Sequence, residues 1–301
     1  MSATVRPLRF GLAGTGYWAS ITHAPALAST PGVEFAAVWG RNAGATAAIA
    51  AEYDITAHDD VDAFLADVDA VAFSVPPQVQ TTLAVRAARA GKHLLLEKPI
   101  ATSESAADAL ARSVGEAGVA SVVFFTARFQ PEVRAWLADV TRQGGWSGGC
   151  AVWLGTALLA SSPFNTPWRN DKGGLWDLGP HVVSLLWAAL GPVRSVTADG
   201  GPADVAHLVL HHESGATSTV TVTLSASEAA ECFELYVWGT PGRSAVPPET
   251  ERPVTALRTA LTELSENARS GRLEHPCDVR FGRDVGRVLA QAERQIGARL
   301  P

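Results

Sequence analysis

Cysteine is scarce in this chain of 301 residues, with only Cys150, Cys232 and Cys277, which lie far apart. Their spacing fits neither a cluster of metal ligands nor a disulfide framework, so we expect reduced thiols, no bound metal and a cytoplasmic location. No basic stripe is present and the net charge is −6, which argues against a nucleic-acid partner. No apolar run is long enough to cross a bilayer, and the N-terminus lacks the apolar core of a signal peptide. We therefore expect a soluble protein without a membrane partner.

What the chain does contain, over roughly its first 125 residues, is the alternation of short apolar runs and alanine-rich stretches that is typical of βαβ units. Gly91 and Gly118 fall where helices should end, each just before a strand. The pattern predicts an α/β fold with a doubly wound parallel sheet. The predicted strands are Arg9–Ala13, Glu34–Trp39, Ala70–Val75, His93–Glu97 and Ser121–Thr126, and the predicted helices are Tyr17–Ala28, Ala43–Tyr53, Asp60–Leu65, Val79–Ala90 and Ser103–Ala117.

The pattern changes near residue 126, and we predict a domain boundary there, with domains of residues 1–126 and 127–301. Runs such as "TSTVTVTL" alternate polar with apolar residues, which indicates a sheet with one covered face. The second domain is therefore predicted to be α+β. Its predicted strands are Cys150–Leu154, Arg194–Thr197, Ala206–His211, Thr217–Leu224 and Phe233–Trp238, and its predicted helices are Pro131–Gln143, Pro180–Leu190, Pro253–Ser270 and Val279–Arg299.

A glycine-rich turn, "GLAGTGYWA", follows the first predicted strand and opens the first helix. Gly14, Gly16 and Ala19 match the dinucleotide-binding pattern: the first permits a tight turn, the second lets the backbone approach a diphosphate, and the third allows close helix packing. The helix N-terminus offers N–H groups to the phosphates. A bland glycine turn is the alternative, but the strand–turn–helix context favours nucleotide binding.

The end of the second predicted strand reads "WGRN" and lacks the acidic residue that usually accepts a hydrogen bond from the ribose of NAD. Arg41 suits the extra phosphate of NADP instead. We therefore predict NADP as the cofactor, with NAD as the alternative. If Arg41 is only a solvated turn residue, that preference disappears.

The stretch "HLLLEKP" ends a predicted buried strand with Glu97, Lys98 and Pro99. Ligands of open α/β sheets bind at the carboxyl ends of the strands, so Lys98 is placed to reach a nicotinamide ribose and a substrate oxygen. Pro99 is a candidate for a cis peptide bond. An ion pair with a nearby acid is the alternative role for Lys98.

A second candidate group lies in "KGGLWDLGPHVV", where Asp177 and His181 are four residues apart. Gly173 and Gly174 predict a flexible stretch before them, and Pro180 suits the first position of a helix. His181 would then lie in the first helical turn, where an imidazole can exchange a proton near neutral pH. The alternative is that Asp177 caps the helix and His181 lies on the surface.

Together, the glycine turn, "GKHLLLEKPIATS" and "GGLWDLGPH" resemble the Gfo/Idh/MocA family of NAD(P)-dependent oxidoreductases. The resemblance runs to roughly residue 195 and implies an N-terminal Rossmann domain. It also implies a C-terminal domain with an open, mostly antiparallel sheet, which commonly forms a homodimer or homotetramer. Lys98 would then polarise the reacting oxygen, His181 would exchange the proton, and Asp177 would orient the substrate and the histidine. The pattern also differs from the family at two positions, Gln80 and Ser184, where histidine and aspartate are common.

This resemblance completes the predicted site. The substrate would be a sugar, a cyclitol or a related alcohol or ketone, held by Arg128, Trp168 and Arg169, whereas Trp146, Trp153, Trp176 and Trp187 are expected in the core or an interface. The expected cofactor contacts are Gly14, Thr15, Gly16, Tyr17, Trp18, Gly40, Arg41, Asn42, Ser74, Pro76, Gln80, Glu97 and Lys98.

Two other functions are compatible with the same residues. Some relatives keep a tightly held NAD and cleave glycosidic bonds through a transient oxidation. A non-catalytic nucleotide-binding protein is the other alternative, because Gln80 and Ser184 would then mark a decayed site.

Overall fold

The computed structural model of the chain describes residues 6–248 and 251–298. The described chain forms two compact units, each built from two segments of the sequence. The first unit contains residues 6–129 and 251–283, and the second contains residues 130–248 and 284–298. Within these ranges no helix is both long and apolar enough to cross a membrane.

The strands are, in chain order, β1 (Leu8–Ala13), β2 (Val33–Trp39), β3 (Thr56–His58), β4 (Ala70–Phe73), β5 (His93–Glu97), β6 (Ser121–Phe124), β7 (Trp146–Leu154), β8 (Val193–Gly200), β9 (Ala206–His212), β10 (Thr217–Thr223), β11 (Cys232–Gly239) and β12 (Gly242–Ala245). The α-helices are α1 (Ala24–Ser29), α2 (Ala43–Tyr53), α3 (Val61–Ala66), α4 (Pro77–Arg89), α5 (Glu104–Ala117), α6 (Pro131–Gln143), α7 (Pro167–Asp177), α8 (Gly179–Leu190), α9 (Pro253–Ser270) and α10 (Val279–Gly297).

The first unit is built on a parallel six-stranded sheet in the order β3-β2-β1-β4-β5-β6. Its central strands are apolar because both faces are covered: all four residues of β4 are buried, as are Leu94, Leu95 and Leu96 of β5. This arrangement confirms the predicted doubly wound parallel sheet. The three-residue edge strand β3 was not predicted, since "TAH" is too short to show a periodicity.

Side-chain caps fix where the helices of this unit begin. The carboxylate or hydroxyl of Asp60 and Ser103 accepts a main-chain N–H from the first turn of α3 and α5, respectively. The first helix differs from the prediction, because a π-helical turn at Ala19–His23 precedes the short α1. The predicted α-helix Tyr17–Ala28 is therefore wrong in its middle.

The second unit is built on a six-stranded sheet in the order β12-β11-β7-β10-β9-β8. Every neighbouring pair is antiparallel except β7 and β10, which confirms the expected mostly antiparallel sheet. The buried helix α8 covers one face: a Cβ built on Gly149 of β7 would lie 3.0 Å from the Leu186 side chain. Residues in alternate positions of β10 are exposed, as the alternation in "TSTVTVTL" predicts.

The C-terminal part of the chain differs from the predicted domain division. Helix α9 packs against strands and helices of the first unit, with Leu257, Leu261 and Leu264 fully buried, so residues 251–283 belong to that unit. The predicted boundary at residue 126 lies close to the observed one at residue 129. The predicted continuous second domain of residues 127–301 is not what the chain forms, because the apolar face of α9 is buried in the first unit. The predicted end of the last helix, Arg299, lies outside the described residues.

Candidate active site

The glycine turn after β1 is packed tightly on one side and open on the other. Gly14 has a φ of +127°, and a Cβ there would collide with the main-chain oxygen of Ser74. Its N–H donates to the main-chain oxygen of Trp39 at 2.8 Å, so the turn is held between the ends of β2 and β4. A Cβ built on Gly16 would meet nothing within 4 Å. The turn therefore has room for the close approach of a diphosphate, as the dinucleotide pattern requires.

The segment after β2 lies beside this turn. A Cβ on Gly40 would lie 2.7 Å from the Thr15 side chain, so a larger residue would require that side chain to shift. Asn42 caps α2, because its Oδ1 accepts the N–H of Ala45 at 3.0 Å. Arg41 between them is exposed, and the first turn of α2 contains no acidic residue. An exposed guanidinium and a helix start without acidic residues therefore follow β2.

The end of β5 is held by the side chain of Gln80 in α4. Gln80 Oε1 accepts the N–H of Glu97 at 2.8 Å, and its Nε2 donates to the main-chain oxygens of Glu97 at 2.8 Å and Pro99 at 3.2 Å. The Lys98–Pro99 peptide bond is cis, which the sequence suggested. Gln80 is buried, so its role here is to hold the backbone on both sides of Lys98.

The carboxylate of Glu97 is also bound within the first unit. It accepts hydrogen bonds from Trp18 Nε1 at 2.7 Å, His23 Nε2 at 2.9 Å and the N–H of Lys98 at 3.2 Å. His23 ends the π-helical turn and is fully buried. These bonds connect the segment after the glycine turn with the end of β5.

Twelve of the thirteen residues expected to contact the cofactor come after the carboxyl ends of β1, β2, β4 or β5, and the thirteenth, Glu97, is the last residue of β5. Because these strands are parallel, the structure brings them to one edge of the sheet. Tyr17 is 49% exposed at this edge, and Pro76 precedes the first residue of α4. Arg128, an expected substrate contact, lies in a 3-10 turn after β6, with its guanidinium 5.5 Å from the ring centre of Phe281.

In the second unit, Asp204 anchors the helical segment that contains Asp177 and His181. Its Oδ2 accepts the N–H of Gly174 at 2.8 Å and of Leu224 at 2.7 Å, and its Oδ1 accepts the hydroxyl of Thr223 at 2.6 Å. Burial raises the pKa of Asp204, but these hydrogen bonds outweigh burial and hold the pKa below its ordinary value. The stretch predicted to be flexible is therefore buried and anchored.

Helices α7 and α8 follow each other almost without a break, which changes the surroundings expected for His181. Gly173 interrupts α7 with a φ of +61°, but from Gly174 onward the hydrogen bonding continues: the N–H of Leu178 donates to Gly174, and that of Val182 donates to Leu178. His181 does lie near the start of α8. The N–H groups of His181 and Val182, in this first turn, already donate to the main-chain oxygen of Leu178 at the junction with α7.

Asp177 is paired with Arg169. Arg169 Nε donates to Asp177 Oδ2 at 2.9 Å, and both side chains are largely buried. The guanidinium also lies 4.6 Å from the ring centre of Trp168 and 5.5 Å from that of Phe164. The structure thus brings together three expected site residues, Asp177, Trp168 and Arg169, with Arg169 partly neutralising the carboxylate.

His181 lies against an aromatic pair of the sheet. Its ring centre is 5.6 Å from that of Trp153 in β7, which in turn lies 4.7 Å from Phe233 in β11. Trp153 and Phe233 are directly opposite each other across the two strands. Trp153, expected in the core or an interface, is only partly buried and contacts the candidate proton-exchanging residue.

Two residues and one contact of these networks were not predicted: His23, Asp204 and the contact of Trp153 with His181. Their partners lie far away in the sequence, so no local spacing reveals them. In the described ranges, no three His, Cys, Asp or Glu side chains converge on a position that could hold a metal ion.

Comparison with known proteins agrees with this arrangement. Residues 8–125 match the model of an oxidoreductase family with an NAD-binding Rossmann fold, GFO_IDH_MocA. Residues 149–244 match the model of the GFO/IDH/MocA C-terminal domain. The two matches fall on the two sheets described above.

Individual relatives are similar over most of the chain. A 4-carboxy-2-hydroxymuconate-6-semialdehyde dehydrogenase of a Sphingobium species is 28% identical over 75% of this chain and 70% of its own. The inositol 2-dehydrogenase of Rhizobium meliloti is 27% identical over 82% of this chain and 77% of its own. The crystal structure of GenD2 from gentamicin A biosynthesis, in complex with NAD, superposes with a TM-score of 0.84 at 20% identity, covering 98% of this chain and 96% of GenD2. The chain is a member of the Gfo/Idh/MocA family of oxidoreductases with an NAD-binding Rossmann fold.

Proposed function

We propose that this protein transfers a hydride between a nicotinamide cofactor and a secondary alcohol or ketone of a sugar, a cyclitol or a related small molecule. The observation that carries the proposal is the edge of the first sheet, where the open Gly16 turn follows β1 and Lys98 follows β5, the two parallel strands on either side of β4. Family membership supports the same reaction class. The relatives named above act on inositol and on a semialdehyde, so the common feature is a carbon that carries one oxygen.

The cofactor, when bound, supplies or accepts the hydride. Lys98 donates to the reacting oxygen and stabilises the charge that develops there. His181 exchanges the proton of the hydroxyl group, and the contact with Trp153 restricts its ring. Asp177 orients the substrate and His181, while Arg169 fixes the carboxylate through Nε.

NADP is the proposed cofactor rather than NAD. The support is Arg41, exposed beside the start of α2, together with the lack of an acidic residue between Trp39 and Asn42. A guanidinium binds a 2′-phosphate through charge-assisted hydrogen bonds. We expect NADPH to bind more tightly than NADH, which the quenching of protein fluorescence measures directly.

Arg128, Trp168 and Arg169 are the proposed substrate contacts. An indole face packs on the C–H bonds of a sugar ring, and Trp168 is partly exposed. Arg169 Nε donates to Asp177, and its Nη1 donates to the main-chain oxygen of Phe164 and the hydroxyl of Thr166, so the hydroxyl groups of the substrate would meet Nη2.

The two lysines that flank β5, Lys92 and Lys98, provide the test. Lys98→Met should lower kcat by about 10²–10³-fold, the effect typical of removing one stabilising donor, with NADPH affinity nearly unchanged. Lys92→Met is the matched control: Lys92 precedes the same strand, at the opposite edge, and its Nζ donates to the main-chain oxygen of Val68. The substrate is first identified by screening ketoses, aldoses and cyclitols with NADPH or NADP⁺. Full turnover by the Lys98→Met variant would contradict the proposal.

We also propose a homodimer or homotetramer in the cytoplasm. The sheet face opposite α8 carries Val152, Tyr236 and the 48%-exposed Trp238, a suitable apolar contact for a second copy. Cys150, Cys232 and Cys277 form no disulfide among the described residues, which suits a reducing compartment. Light scattering coupled to size exclusion should give at least twice the chain mass, and Trp238→Glu should lower it.

A further inference from the structure

Glu97 contacts two segments to which the proposed function gives different roles: the segment after the glycine turn, which binds the cofactor, and the end of β5, which carries Lys98. It ends β5 and directly precedes Lys98, and its side chain is 13% exposed. One carboxylate oxygen, Oε1, accepts both the Trp18 indole N–H and the His23 Nε2–H, and the other accepts the Lys98 main-chain N–H. The carboxylate is therefore occupied by internal donors from both sides.

The π-helical turn explains how Trp18 and His23 reach one oxygen. They are five residues apart, and in a regular α-helix such positions lie about 140° apart around the axis. The N–H of Ala24 instead bonds to the oxygen of Ala19, five residues back, so residues five apart come to nearly the same side. A regular helix would aim one of the two donors away from Glu97.

The hydrogen bond with Glu97 is made by Nε2 of His23. Its side chain is completely buried, and its Nδ1 has no hydrogen-bond partner among the described residues. The ring must carry its proton on Nε2, because the carboxylate can only accept. A buried nitrogen without a hydrogen-bond partner is unfavourable for stability, so a role outside stability would explain why a histidine occupies this position.

The main chain of Glu97 is also fixed by hydrogen bonds. Gln80 binds both its N–H and its oxygen, as well as the oxygen of Pro99. The residue before Lys98 thus has its side chain bound to the segment after the glycine turn and its backbone bound to α4. The backbone that precedes Lys98 is therefore fixed by these hydrogen bonds.

We propose that Trp18, His23 and Glu97 form a positioning triad that couples the dinucleotide turn to Lys98. The inference rests on the proposed function, since it assigns Lys98 and the turn their roles. His23 and Glu97 act through Lys98, because they hold its backbone in register with the turn.

The test uses His23→Phe, which keeps a flat ring beside Phe124 and removes both ring nitrogens. The unsatisfied Nδ1 disappears, so the melting temperature should stay near that of the wild type, whereas kcat should fall about tenfold, the scale of a small misplacement. NADPH affinity, measured by nicotinamide fluorescence, should stay within about threefold. Glu97→Gln, which keeps the side-chain shape, provides the same comparison should His23→Phe unfold.

His275→Phe is the matched control. His275 Nε2 donates to Glu263 at 2.9 Å, a bond of the same kind and length in the same unit but remote in sequence from the glycine turn and Lys98. It should leave kcat unchanged. The indole ¹⁵N–H resonance of Trp18, assigned among nine tryptophans by its loss in Trp18→Phe, should move in His23→Phe but not in His275→Phe.

A double-mutant cycle with Lys98→Met separates the outcomes. In that background His23→Phe should lower the residual rate less than twofold, because the triad acts through the lysine. An undiminished kcat in both His23→Phe and Glu97→Gln would overturn the inference. Equal effects with and without Lys98, or a loss of NADPH affinity alone, would overturn it as well. If Lys98→Met itself were fully active, the proposed function would fail instead.

Discussion

Replacement of Asp204 by alanine should destabilise the second unit strongly, because one carboxylate satisfies two buried main-chain donors. The N–H groups of Gly174 and Leu224 both donate to Asp204 Oδ2, and both residues are buried. Leaving a buried donor without a partner costs about 1–3 kcal/mol, so two such donors cost about 4 kcal/mol. Asp204 is partly exposed, and water entering the site should replace part of the loss. We expect a decrease of about 3 kcal/mol in the free energy of unfolding.

Asp204→Asn gives a graded comparison. The amide oxygen can still accept from Gly174 and Leu224, so only the charge and the acceptor of the Thr223 hydroxyl are lost, at about 1–2 kcal/mol. Urea unfolding followed by circular dichroism measures both variants. Asp199→Ala, an exposed carboxylate in the same unit, is the control and should stay within about 0.5 kcal/mol of the wild type.

The pH dependence of the same variants has a definite sign. The pKa of Asp204 is held below its ordinary value of 3.8, so the folded state favours the ionised group. Its contribution is complete above that value and is lost as the pH falls below it. The stabilities of wild type and Asp204→Asn should therefore converge in acid. An Asp204→Ala variant within 1 kcal/mol of the wild type, at about neutral pH, would refute the anchoring role.

Three further predictions concern cofactor choice, pH and the aromatic pair. Arg41→Ala should weaken NADPH binding about tenfold and leave NADH binding unchanged, as titrations of both will test; equal losses would remove Arg41 from phosphate recognition. Burial lowers the pKa of His212, a shift that its hydrogen bond with the oxygen of Gly191 only partly opposes. Stability should thus be complete above the ordinary value of 6.5 and decline as the pH falls below it, and unfolding of His212→Gln should show a flatter pH profile. Trp153→Phe should keep the fold but raise the substrate KM by about threefold to tenfold, with NADPH affinity constant; an unaltered KM would return Trp153 to a purely structural role.

Elements with strong local signals were predicted well from the sequence. Strand β5 and helices α2, α6 and α9 have the predicted bounds. An apolar run marks β5, the Asn42 cap marks the start of α2, and a proline at the start and a glycine after the end mark α6 and α9. The carboxyl edge of the first sheet followed from the parallel pattern alone. The reason is that the carboxyl ends of parallel strands lie at the same edge of a sheet.

The errors share a physical cause, which is a partner distant in the sequence. The π-helical turn depends on His23 reaching Glu97, more than seventy residues away. Helix α7 was missed because Gly173 and Gly174 indicate a break, whereas Asp204 binds the N–H of Gly174 from thirty residues away. The burial of α9 in the first unit likewise depends on an apolar surface that local periodicity cannot identify.

Residues 251–283 belong to the first unit although they come late in the chain, and this has a consequence for synthesis on the ribosome. The first sheet emerges early, but α9 and the segment whose Cys277 oxygen accepts the N–H of Val123 follow about 150 residues later. At typical elongation rates this is a wait of about 10–30 s, during which the surface that α9 will cover faces solvent or a chaperone. A nascent chain arrested before α9 should therefore be protease-sensitive in its nucleotide-binding half, even though every strand of that half has been made.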